Sequence, residues 1–177
     1  MKLDGEKKTF LYHSPVWSNK ETYAEQDGLE GLTEKESKLA SYWNTPFTKI
    51  CFGMTHNGDK RWLKLDYNAS SLYSVFADGE YKPTALGRNA WKSLIADSSL
   101  QSSCHKEGFN VPYNEGSDAG IRIGIYADDN LNCRGSDSWI GCGFSHGVGA
   151  CQHFARSQYS PDNGGRDLKT FGYILVQ

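Results

Sequence analysis

Asp128, Asp129, Asn130, Asn132 and Asp137 place five oxygen-bearing side chains within one stretch of ten positions. Carboxylates and amides are hard ligands, and Ca²⁺ collects roughly six to eight such oxygens, backbone carbonyls included. Calcium is therefore the cofactor this set suits. The spacing is not that of an EF-hand, because that loop's glycine and terminal glutamate are absent. Asx residues also cap turns wherever a chain reverses, which is the competing reading. Trp139, two positions beyond Asp137, is an aromatic that could flank a bound ligand.

Other chemistries are less well served. Cys142, His146, Cys151 and His153 gather two thiols and two imidazoles, but not at the common zinc-finger intervals. An oxidising compartment would also consume those thiols. No G-x-S-x-G elbow occurs, and no serine sits in a hydrolase-like context. Five histidines and five cysteines permit a Cys–His pair on paper, as almost any such sequence would. The expectation is a protein that is not an enzyme.

The acidic cluster needs a scaffold, and the surrounding residues suggest one. Ile121, Ile123 and Ile125 alternate along a strand that runs straight into Asp128. The whole stretch GIRIGIYADDNLNCRGSDSWIGCGFSHGVGAC then reads as a loop braced by cysteines. Upstream, FTKICFGMTHNGDKRWLKLD is a hairpin signature, with Asn57-Gly58 at the reversal. GRNAWKSLI has helical spacing and predicts an amphipathic helix of two to three turns packed by Trp91. Leu72 to Phe76 is a short aromatic stretch, and residues 99–114 read as polar loop. KTFGYILVQ predicts a terminal strand. Residues 1–40 read as an edge segment around Phe10–Trp17 and a charged, solvated loop.

Composition narrows the class. A length of 177 residues fits one compact domain. Nineteen glycines and an aromatic content of 13% favour turns and strands over a helical bundle. A net charge of −2 gives no pull toward nucleic acid. No apolar run is long enough to span a membrane. Four of the five cysteines lie between 104 and 151, and Asn68-Ala69-Ser70 is a glycosylation sequon, so a secreted protein is expected. The amino-terminal residues themselves do not read as a signal peptide.

Several segments resemble a known family. CFGMTHNGDKRWLKL resembles the early strand pair of fibrinogen-like domains. IRIGIYADD, C-x5-WIGCGF, ACQHF and GYILVQ resemble the carboxy-terminal half of intelectins, the X-type lectins. YWNTPFTKICFGM, SSLYSVFADGEY, WKSLI, SSLQSSCHKEGFN, SPDNG and FGYILVQ are similar to secreted cnidarian proteins, among them skeletal organic matrix proteins of corals. The similarity spans roughly residues 42–177. It implies an α+β fibrinogen-like domain over 41–177, with a twisted, mainly antiparallel sheet, few short helices and long disulfide-braced loops. It also implies a calcium-dependent, carbohydrate-binding lectin that assembles as a homo-oligomer.

Carried over position by position, the resemblance gives Asp128 an oxygen-ligand role and puts Asp137 beside the main ligand cluster. His153 falls where the family has an aspartate, and Tyr159 falls near an aromatic wall. Cys104 and Cys133 match a bonded pair. Cys151 matches a bonded position whose family partner is missing, which leaves it to pair with Cys142 or Cys51. The expected function is calcium-assisted glycan recognition outside the cell. The alternative is an extracellular matrix protein that binds calcium, mineral or other matrix chains without a sugar pocket.

Overall fold

The computed structural model describes residues 1–114, 116–131, 133, 135–145 and 149–177. Asn132 and His146, candidates from the sequence, lie outside the described residues.

Asn57 and Gly58 both take positive φ, 50° and 79°, and turn the chain in the two-residue reversal that an Asn-Gly pair permits. They join two long strands, β2 (Phe47–His56) and β3 (Asp59–Ala69). With β1 (Lys2–Asp4) and β10 (Phe171–Val176), these form a four-stranded antiparallel sheet in the order β1-β10-β2-β3. A second sheet is an antiparallel meander in chain order. It contains β4 (Lys82–Pro83), β5 (Cys104–Pro112), β6 (Gly120–Asp128), β7 (Ser138–Phe144), β8 (Cys151–Ala155) and β9 (Arg166–Lys169). The sheets share one core. Ile50, Phe52, Met54 and Ile174 from the first lie in the same buried cluster as Phe109, Ile123, Ile125 and Ile140 from the second.

This overturns the expected fold. An α+β fibrinogen-like domain is not what the chain adopts; it is mostly strand, in two antiparallel sheets. The helices among the described residues are α1 (Glu25–Leu29), α2 (Ser41–Asn44), α3 (Leu72–Phe76) and α4 (Arg88–Lys92), none longer than five residues. Helices this short cannot form a layer of their own, and they join the two sheets in one common core, with Trp91 of α4 against Phe52 and Phe76 of α3 against Phe109. The predicted Gly87–Ile95 helix is thus reduced to α4, though Trp91 is fully buried as expected. The aromatic stretch at Leu72–Phe76 is helical because the Ser71 hydroxyl caps it, accepting from the Ser74 amide at 3.1 Å.

The charged amino-terminal run is only partly solvated. Lys38 is 0% exposed, and its ammonium donates to the Val16 and Asn19 carbonyls at 2.6 and 2.9 Å. It also lies over the Tyr42 ring at 4.7 Å. Glu36 is buried as well, where it accepts from the Thr9 hydroxyl. The edge strand is β1 rather than the Phe10–Trp17 segment, whose Phe10 and Trp17 enter the core.

Two disulfides are present, Cys104–Cys133 and Cys142–Cys151, and Cys51 is the free cysteine among the described residues. Cys142 and Cys151 are register partners on β7 and β8, so this bridge staples adjacent strands instead of bracing a long loop. Both are fully buried, and Gly172 of the other sheet lies directly beneath their sulfurs. A Cβ there would come within 2.4 Å of the Cys142 sulfur and 2.6 Å of that of Cys151.

Candidate functional site

Strand alternation sets up the site. Along β6, Ile123, Ile125 and Ala127 point into the core. Tyr126 and Asp128 therefore share the opposite face. Asp128 closes the strand opposite Cys104, and Cys104 is bonded to Cys133 in the following loop. The disulfide thus ties the loop back beside Asp128. The returning chain docks when the Asp137 amide donates to the Ala127 carbonyl at 3.0 Å.

The outcome is a compact group of carboxylates. One oxygen from each of Asp128, Asp129 and Asp137 lies within 4.8 Å of the others. Asp128 is 1% exposed, Asp137 is also buried, and Asp129 is exposed. Asp128 Oδ1 accepts weakly from the Asn130 amide at 3.4 Å, whereas Oδ2 is buried with no hydrogen-bond partner among the described residues. Burial, then the charges of Asp128 and Asp129, hold the Asp137 carboxyl above its ordinary pKa. The Arg156 guanidinium, 3.9 Å from Asp137, pulls the other way.

Beside the carboxylates is an aromatic cleft of about 260 Å³, lined by Tyr113, Tyr126, Trp139, Phe144 and Arg156. Tyr126 and Trp139 are register partners with ring centroids 6.0 Å apart. Trp139 also stacks on Phe154 at 4.5 Å, which fixes its plane. Arg156 belongs to both halves, lining the cleft and facing Asp137. Next to this pair the sheet carries no side chains, because Gly108, Gly124 and Gly141 fall in register across β5, β6 and β7.

Of the five expected cation ligands, the structure brings Asp128, Asp129 and Asp137 together. Asn130 is adjacent, and its side-chain amide nitrogen donates to Asp129 at 2.6 Å. Trp139 is a wall of the cleft. His153 is not at the site: it is fully buried, its Nε2 accepts from the Ser99 amide at 3.0 Å, and its Nδ1 faces the Trp139 carbonyl at 2.9 Å. Burial pushes its pKa down to about 4. Tyr159 ends a short 3₁₀ turn, Ser157–Tyr159, and is not among the residues lining the cleft. The zinc constellation does not form, since Cys142 and Cys151 are bonded to one another.

Tyr113, Tyr126, Phe144 and Arg156 were not among the expected site residues. Tyr126 carried a usable signal, because it is out of phase with the isoleucines and in phase with Asp128. Arg156 had none, as its place depends on how β8 pairs with β7.

The site is a carboxylate cluster joined to an aromatic cleft. Compared with protein-family models, curated protein sequences and solved structures, the chain has no significant match. No fibrinogen-like or intelectin-like domain is identified by these comparisons.

Proposed function

We propose that this is an extracellular, non-catalytic recognition protein that holds calcium at Asp128, Asp129 and Asp137 and takes a glycan in the adjoining aromatic cleft. The observation carrying this reading is Asp128 Oδ2, a buried carboxylate oxygen with no donor among the described residues, in a group with two further carboxylates. Buried charges in proteins are paired or coordinate metals. The donor set fits calcium, since all three ligands are hard oxygens and the cluster needs positive charge. When bound, the ion supplies that charge and open positions for a ligand's hydroxyl oxygens.

The chain's own residues do the rest. Partly exposed Trp139 offers flat apolar surface for the C–H face of a sugar ring, backed by buried Tyr126, and Arg156 offers hydrogen-bond donors at the junction. Two disulfides are compatible with an oxidising compartment, which supports the extracellular reading. No helix among the described residues is long and apolar enough to cross a membrane.

A glycan array read in calcium and again in EDTA tests the proposal. Calcium-dependent hits that disappear in Asp128→Asn and in Trp139→Ala are expected. Calcium binding by the folded protein with a blank array would instead indicate a matrix protein that holds calcium without a sugar pocket. Absence of any calcium binding would remove the proposed ion.

A further inference from the structure

A second cleft, of about 510 Å³, shares no residue with the carboxylate cluster or the aromatic walls. It opens where the chain crosses between sheets, because Lys169 ends β9, Phe171 begins β10, and Thr170 alone joins them. Asp4, Phe171 and Thr55 lie side by side in register across β1, β10 and β2. Directly paired residues of antiparallel strands project to the same face, so these three form a continuous floor. Glu6, Glu34 and Asp167 also line the cleft, with His56 and Lys169.

Two independent features point to a ligand. Thr55 and Thr170 are 4% and 5% exposed, and neither hydroxyl has a hydrogen-bond partner among the described residues. An unpaired buried hydroxyl is costly, and one that lines a cleft calls for a partner from outside the chain, an ordered water or a bound ligand. The second feature is charge. Four carboxylates line the cleft against one lysine, and Lys169 is already engaged by Glu6 at 2.6 Å. Asp4 has Lys7 at 3.7 Å, while among the described residues Glu34 and Asp167 pair with no cation.

We propose that this cleft is a second binding site, for a hydroxylated primary amine of the amino-sugar class. The ammonium answers the surplus carboxylates and donates to the threonine oxygens. The ligand's own hydroxyls accept from the threonine O–H groups, which a plain alkylammonium or guanidinium cannot do because it has no acceptor. The volume falls in the small-molecule range of roughly 300–1,000 Å³. His56 closes one side, its Nδ1 held by the Lys169 carbonyl at 3.2 Å. The site is independent of calcium and goes beyond the glycan reading above.

Calorimetric titration with glucosamine in EDTA, against N-acetylglucosamine and glucose, tests it. Saturable glucosamine binding is expected, weakened at least about tenfold when the amine is acetylated or absent. Thr55→Val keeps the side-chain shape and removes the hydroxyl, and should weaken binding by a similar factor. The exposed Glu34→Gln serves the same purpose if Thr55→Val does not fold. Asp128→Asn should leave glucosamine affinity unchanged, which separates this cleft from the calcium site. Equal affinity for glucosamine and N-acetylglucosamine, no saturation into the tens of millimolar, or unchanged affinity in folded Thr55→Val or Glu34→Gln would each overturn the proposal.

Discussion

Replacing Asp128 by asparagine should push stability in opposite directions depending on calcium. Without calcium, the buried Asp128 and Asp137 carboxylates face one another with ligand atoms no more than 4.8 Å apart. At an effective dielectric near 20, two unit charges at that distance repel by about 3 kcal/mol. Arg156 and proton uptake by Asp137 relieve part of this, so neutralising Asp128 should stabilise the calcium-free protein by about 1–2 kcal/mol. For a chain of this size that is a rise in Tm of roughly 2–8 °C. With calcium at about a hundred times its Kd, the wild type should gain about 2.7 kcal/mol and the variant nothing. The wild-type melt should then move up by roughly 5–10 °C. Thermal melts by circular dichroism, in EDTA and across a calcium titration, read both effects. A variant that melts lower than wild type in EDTA, or that keeps the full calcium shift, would refute the reasoning.

Three further outcomes follow from buried groups elsewhere. His153 is held neutral, its pKa lowered by burial from 6.5 to about 4. The unfolded chain therefore binds the extra proton first, and stability should be complete above about pH 6.5 and fall as pH drops toward 4, by about 3 kcal/mol in all; melts from pH 7 to 4 check this, with the acid limb flattened in His153→Gln. Glu107 accepts from the Thr84 hydroxyl, the Leu86 and Gly87 amides and Trp91 Nε1, and these bonds outweigh burial to hold its pKa below the ordinary value. Glu107→Ala strands those donors and should cost about 3–5 kcal/mol by urea denaturation. Gly172→Ala forces a Cβ onto the Cys142–Cys151 sulfurs and should cost about 1–3 kcal/mol, again by denaturation, with both disulfides intact by mass.

Local signals in the sequence carried some elements well. Asn57-Gly58 announced β2 and β3, the isoleucine alternation announced β6, and FGYILV announced β10. β5 was hidden because His105, Lys106 and Glu107 read as loop, yet Glu107 is buried by virtue of its hydrogen bonds. β7 was hidden by Gly141 and Gly143, which interrupt the alternation of WIGCGF and made a strand resemble a turn. The two-sheet layering is a property of pairings such as β1 with β10, far apart in the chain, which no local pattern encodes. At the candidate site, the acidic residues were legible because they fall within ten positions of one another. Of the aromatic walls, Trp139 was legible beside Asp137, whereas Tyr113 and Phe144 join it only through strand pairing.

The two disulfides differ in how a reductant reaches them. Cys142 and Cys151 are sealed between the sheets against Gly172, while Cys104 and Cys133 are half-buried at a loop. Thiol–disulfide exchange requires direct approach of the attacking thiolate to sulfur. The outer bridge can be cut through a local opening, whereas the inner one waits for the sheets to part. Time-resolved alkylation in dilute reductant would therefore show two phases, the slower one acting as a clock for separation of the sheets. Everything that glues the sheets together would be read out by that one covalent bond.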